Sequence, residues 1–159
     1  MVNAQVQETM LLLAEALTVD FQIDEALKLY KEILDARRDG TDSPKDVLRA
    51  MAPLYTQQGN YIEAAECLAE VLEHEEGELA KVGVYTKIAG NYKKADDGPK
   101  CLENSKAAYE LIKKHQGELD LQTCKCLLNL ANVYQYFEMD EEARKTFQIF
   151  LDLYAQQDG

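Results

Sequence analysis

Three groups of side chains in this 159-residue chain carry reactive chemistry: four cysteines, two histidines and several adjacent carboxylates. Cys67, Cys101, Cys124 and Cys126 supply a single C-x-C pair, and His74 and His115 are scattered. A zinc site needs two closely spaced cysteine pairs or added histidine ligands, so no metal ligation is expected. Glu75-Glu76 and Glu141-Glu142 are neighbours in sequence. Neighbours on a helix point about 100° apart, which does not make a facing acid/base pair. They read as solvated helix faces, and the histidines as residues near helix C-termini, where the dipole favours them. The sequence contains no nucleophile elbow, P-loop, dinucleotide fingerprint or zincin motif. The expectation is a protein without enzymatic activity, metal or cofactor.

Charge offers a better lead. Residues 1–78 hold 6 basic and 17 acidic side chains, a net of -11; residues 79–115 hold 8 and 4, a net of +4; residues 116–159 hold 3 and 8, a net of -5. A basic island thus stands between acidic neighbours. Within it, Lys87, Lys93 and Lys94 lie at i, i+6 and i+7, near one face of a helix. Two readings stand: a site for an acidic peptide or a C-terminal carboxylate, or a solvated lysine face that balances nearby glutamates.

The whole chain carries a formal charge of -12 and a pI of about 4.6, which disfavours nucleic-acid binding because phosphate repels it. Hydrophobic content is 47%, with 3 Pro and 8 Gly, values that argue against disorder and against a turn-rich β protein. The longest apolar run, Met10 to Ala14, is far shorter than the roughly 20 residues of a membrane span. No basic leader with an apolar core precedes it. The expected setting is cytoplasmic, with reduced thiols.

Apolar residues recur at spacings of three and four, which predicts about eight amphipathic helices: 4–19, 23–37, 44–58, 61–75, 79–94, 99–115, 119–136 and 140–156. Ser43-Pro44-Lys45-Asp46 reads as a helix start, with Ser43 as cap, Pro44 at the first helical position and Asp46 returning a bond. Pro53 falls inside the third helix and should kink it toward the inner surface.

Four segments share one internal pattern: Met10-x2-Leu13-Ala14-x2-Leu17, Leu48-x2-Met51-Ala52-x2-Tyr55, Tyr85-x2-Ile88-Ala89-x2-Tyr92 and Leu127-x2-Leu130-Ala131-x2-Tyr134. Twelve residues after each alanine stands a second small residue: Ala26, Ala64, Cys101 and Ala143. Four further on come Tyr30, Leu68, Ser105 and Phe147. This pattern resembles the tetratricopeptide repeat (TPR) family, most closely at Tyr55-x3-Gly59-Asn60-Tyr61-x2-Ala64 and Tyr134-x8-Ala143-x3-Phe147. Two features depart from it: no proline closes a second helix, and repeat starts lie 38, 37 and 42 residues apart. The long spacing, with Thr123-x3-Leu127-x-Asn129-Leu130-Ala131, is similar to kinesin-light-chain-type repeats.

The resemblance implies a single domain over 1–159, an all-α, right-handed α-solenoid of four helix-turn-helix repeats at about 4–38, 44–76, 79–115 and 119–157. It also implies a concave groove lined by the first helices. Its inner positions include Leu12, Glu15, Thr18 and Val19, then Ala50, Pro53, Thr56 and Gln57, then Lys87, Gly90, Lys93 and Lys94, then Asn129, Asn132, Gln135 and Tyr136. Lys125 lies one turn earlier. Asn129 and Asn132 resemble the asparagine ladder of some TPR proteins, including the kinesin light chains. There the amide, both donor and acceptor, bonds an extended peptide backbone. A peptide groove at Lys87, Lys93, Lys94, Lys125, Asn129, Asn132, Gln135 and Tyr136 is therefore expected, in an adaptor or scaffold that binds a protein or peptide ligand. Cargo adaptation of kinesin-light-chain type is one alternative. Another is assembly: the last helix carries apolar residues beyond those its inner face needs, with Phe150, Leu151 and Tyr154 as the face. That pattern suits either a homo-oligomer or the continuation of a longer solenoid.

Overall fold

The computed structural model describes residues 3–157 and contains eight α-helices among them, with no strand. Two compact units divide the chain, 1–74 and 75–159.

The first unit comprises α1 (Ala4–Val19), α2 (Ile23–Arg38), α3 (Lys45–Gln57) and α4 (Tyr61–His74). α1 pairs with α2 and α3 with α4, while α2 lies against α3. The α2 stripe Ala26, Leu27, Tyr30, Ile33 and Leu34 is buried, and so are Val47, Leu48, Met51, Ala52 and Leu54 of α3. Polar ties add to this apolar packing. Arg38 of α2 donates two N–H groups to the Glu70 carboxylate of α4, and Gln58 Nε2 donates to Asp24 Oδ1 at 2.6 Å. At the start of α3, Ser43 Oγ accepts from the Lys45 N–H at 3.3 Å, and Pro44 has helical dihedrals immediately before the first assigned residue. α3 continues through Pro53 to Gln57, with Pro53 exposed.

The second unit comprises α5 (Glu78–Lys94), α6 (Gly98–Gln116), α7 (Leu121–Tyr136) and α8 (Asp140–Gln157). Each helix packs on the next. Asp97 caps α6, accepting from the Lys100 N–H at 3.1 Å, and Asp120 caps α7, accepting from Gln122 and Thr123 at 2.8 and 3.2 Å. Gly98 permits a close approach: a Cβ there would stand 3.1 Å from the Phe137 ring, which would have to give by a few tenths of an ångström. Tyr109, Leu127, Leu130, Tyr134, Ala143 and Leu153 form the larger core, with Phe147 and Phe150 packed against its edge. At the far end of α8, Gln157 Nε2 donates to the Leu119 carbonyl at 2.6 Å, which fastens this helix to the α6–α7 turn.

Ala14, Ala52, Ala89 and Ala131 are all buried, as are Ala26, Ala64, Cys101 and Ala143. These are the small residues of the repeat pattern, and they let the paired backbones approach. The turns share a second regularity. Seven residues after each first alanine stand Phe21, Gly59, Asp96 and Glu138, with φ of 58°, 79°, 58° and 59°. The next residue's N–H then reaches back five positions: Gln22 to Leu17, Asn60 to Tyr55, Asp97 to Tyr92 and Met139 to Tyr134, at 2.8 to 2.9 Å. This is the left-handed, backbone-closed helix end of the Schellman type. Glycine supplies it once and a side-chain-bearing residue three times.

Candidate protein-interaction groove

A trough runs across the second unit, with α5 and α7 as walls and α6 as floor. One hollow of about 600 Å³ is lined by Leu79, Val82, Gly83, Thr86 and Lys87 of α5, by Ser105, Ala108 and Ile112 of α6, and by Lys125, Cys126 and Asn129 of α7, among others. An adjoining hollow of about 510 Å³ is lined by Thr86, Ala89, Gly90, Lys93, Lys94, Cys101, Ser105, Asn129, Val133 and Tyr136. Thr86, Ser105 and Asn129 belong to both, so the two hollows join.

Small residues make the space. Gly83 and Gly90 are two turns apart on one face of α5, and a Cβ at either would meet nothing within 4 Å. The Thr86 hydroxyl donates to the Val82 carbonyl at 2.9 Å, so its hydrogen is spent inside its own helix. The first hollow is mainly apolar through Leu79, Val82, Ala108 and Ile112; the second carries Lys93 and Lys94.

The lysines are held in a specific way. Lys93 Nζ stands 4.4 Å from the centroid of the Tyr136 ring, joining the two walls, and Tyr136 meets Phe137 edge-to-face at 5.0 Å. Lys100 stands over Tyr92 at 5.1 Å, and Lys106 over Tyr134 and Lys113 over Tyr109 both at 5.6 Å. Lys93, Lys100, Lys106 and Lys113 of the basic island thus rest on tyrosine rings, which hold positive charge in place. Carboxylates also reach this set: Lys81 pairs with Glu78 at 2.8 Å and Lys113 with Glu118 at 3.1 Å.

Of the residues expected at the groove, Lys87, Lys125 and Asn129 line the first hollow, and Lys93, Lys94, Asn129 and Tyr136 the second. Asn132 and Gln135 are exposed on α7 and line neither. The inner-position pattern considers first helices alone, so it misses the α6 floor of Ser105, Ala108 and Ile112. It also misses Gly83, Thr86 and Cys126. The seven-residue spacing of Gly83 and Gly90 within an unbroken helical pattern was the available signal. Of the assembly face, Phe150 is half-buried and stacks on Tyr154 with centroids 6.4 Å apart, while Leu151 and Tyr154 are exposed.

None of the three cysteines whose thiols are shifted is an activated nucleophile. Burial pushes the Cys101 and Cys126 thiols up, and burial pushes Cys67 up to about 11. All four cysteines are free of disulfides. Among the described residues, no group of three or more His, Cys, Asp or Glu side chains is placed to hold a metal ion, and no helix is long and apolar enough to cross a membrane.

The chain is similar in structure to the nearly identical TPR-like repeats of a Podosopora anserina kinesin-light-chain candidate: TM-score 0.78, 16% identity, covering 98% of this chain and 78% of that one. The fold is that of TPR-type α-solenoids. BtubC (BKLC) from P. vanneervenii superposes with a TM-score of 0.70 at 19% identity, covering 97% of this chain and 65% of that one. MamA from MSR-1 does so with a TM-score of 0.66 at 18% identity, covering 98% and 82%. No protein-family model matches the sequence, and no curated protein does.

Proposed function

We propose that the protein is a non-enzymatic interaction module, an adaptor or scaffold whose four repeats work as one domain. In this reading the trough between α5 and α7 receives an extended segment of a partner protein that carries acidic side chains. The observation that supports it is the joining of an apolar hollow to a lysine-bearing one through Asn129, within reach of Lys87, Lys93, Lys94 and Lys125. An apolar recess gives contact area, the amide pairs with main chain of any sequence, and the lysines, with Lys93 held on the Tyr136 face, select negative charge.

The test uses a fluorescein-labelled peptide with three glutamates spaced among apolar residues, and its glutamine analogue. The acidic peptide should bind at least tenfold more tightly than the analogue, and the preference should shrink as salt is raised. Lys87→Glu combined with Lys94→Glu should abolish that preference while the helical circular dichroism stays as in the wild type. Equal binding of both peptides by the wild type rejects the acidic-segment reading.

A further inference from the structure

One position of the repeat pattern is out of keeping with its equivalents, and it lies in the floor of the trough. Four residues after the second small residue, successive repeats carry Tyr30, Leu68, Ser105 and Phe147. Tyr30 and Leu68 are 3% and 5% exposed, and Phe147 packs against the edge of a core cluster. Ser105 is as deeply buried, at 3%, but its side chain stops one heavy atom beyond Cβ. The space that a large residue fills in the other repeats is thus left open here, and Ser105 borders both hollows. Its Oγ is buried and has no hydrogen-bond partner. A buried hydroxyl in that state is destabilising, since it has given up water and gained nothing in return. Alanine at the same position would keep the space, avoid that cost and favour the helix.

The surroundings fix the kind of group that satisfies this hydroxyl. Among the described residues that line the two hollows there is no Asp or Glu, in a chain that has 29 of them, while Lys87, Lys93, Lys94 and Lys125 all stand there. A protein of net charge -12 has kept its own carboxylates out of this trough. A hydroxyl donor beside ammonium groups is matched by an acceptor that carries negative charge. The serine side chain has a single torsion, and one staggered step of it turns the hydroxyl toward the hollows that the residue borders. We propose that Ser105 is the specificity-determining residue of the trough. Its hydroxyl donates to the carboxylate of one Glu or Asp side chain of the bound segment, seated in the second hollow, where Lys93 and Lys94 balance the charge. This rests on the acidic-segment reading above and adds a single buried anchor to it: one acidic side chain of the partner, and not its total charge, decides binding.

Anisotropy titrations with the labelled three-glutamate peptide and its glutamine analogue, on the wild type, Ser105→Ala and Ser105→Leu, test the assignment beside thermal unfolding. Ser105→Ala should raise the unfolding midpoint and yet bind the acidic peptide about tenfold more weakly, the loss expected for one charge-assisted hydrogen bond. Its binding of the glutamine analogue should change by less than about threefold. Ser105→Leu, which installs the residue of the second repeat, should lose the preference for the acidic peptide while its helical circular dichroism stays as in the wild type. Analogues that regain one glutamate at a time should show a single position restoring most of the affinity. A wild type without the acidic preference rejects the acidic-segment reading and the anchor with it. A wild type that has the preference, with Ser105→Ala matching it on both peptides, overturns the anchor alone. So do equal contributions from the three glutamates. Weak binding by Ser105→Leu beside unchanged binding by Ser105→Ala assigns the effect to lost space and equally overturns the hydrogen bond. If Ser105→Leu loses helical circular dichroism, Ser105→Ala decides by itself.

Discussion

Lys93 of α5 and Tyr136 of α7 meet across the trough, the ammonium 4.4 Å from the ring centroid, and this contact closes one end of it. A cation over an exposed ring contributes roughly 0.5–1 kcal/mol. Tyr136→Ala should lower stability by about that amount in urea unfolding, whereas Tyr136→Phe, which keeps the π face, should leave the midpoint unchanged. Equal losses in both variants would assign the effect to the hydroxyl.

Gly83 and Gly90 weaken α5 for the sake of space. An added methyl meets nothing at either position, so Gly83→Ala and Gly90→Ala should each stabilise the protein by about 1 kcal/mol through helix propensity. The same methyls narrow the trough, so the acidic peptide should bind several-fold more weakly. Thermal unfolding and fluorescence anisotropy on the same samples check the two opposite signs.

The left-handed turn residues are open to the same kind of test. A side-chain-bearing residue in that conformation costs about 1–2 kcal/mol relative to glycine. Glu138→Gly, at φ of 59°, should therefore raise the unfolding free energy by about 1 kcal/mol, and Gly59→Ala, at φ of 79°, should lower it by a similar amount. A destabilised Glu138→Gly would show that the glutamate side chain, and not the turn, matters there.

Burial holds the Cys67 thiol near 11, against an ordinary value of 9.0. The folded protein should thus react slowly with iodoacetamide at Cys67 at neutral pH, the rate climbing about tenfold per pH unit until it levels near pH 11. In the unfolded chain it should level about two units earlier. Because the folded value is the raised one, the neutral thiol's contribution to stability is intact below pH 9 and is lost as pH rises toward 11. Rates measured on a variant with the other three cysteines replaced by serine isolate the residue.

The helices and their pairing were legible in the sequence because the buried alanines and the apolar stripes recur at fixed offsets. Ala14, Ala52, Ala89 and Ala131 announce the first helices even where Cys101 and Ser105 dilute the second. The basic wall was legible as charge: Lys87, Lys93 and Lys94 share a helix with Gly90. The α6 floor was not, because Ser105, Ala108 and Ile112 read as ordinary core positions of a second helix, and only the absence of side chains opposite them on α5 leaves them facing a hollow. The tyrosine partners of the lysines were hidden for a different reason. Lys93 and Tyr136 are 43 positions apart, and no local pattern links them. Equally hidden was the conformation of Phe21, Asp96 and Glu138, since glycine is the usual written sign of that turn and here it appears once.

Because peptide groups alone stitch all four bends, the letters at those bends are at liberty to drift. Any residue able to tolerate a modest local penalty keeps the hairpin shut, so mutation erodes the spelling of the motif long before it alters its shape. Kinship with other solenoids is then written in the path of the chain rather than in its amino acids.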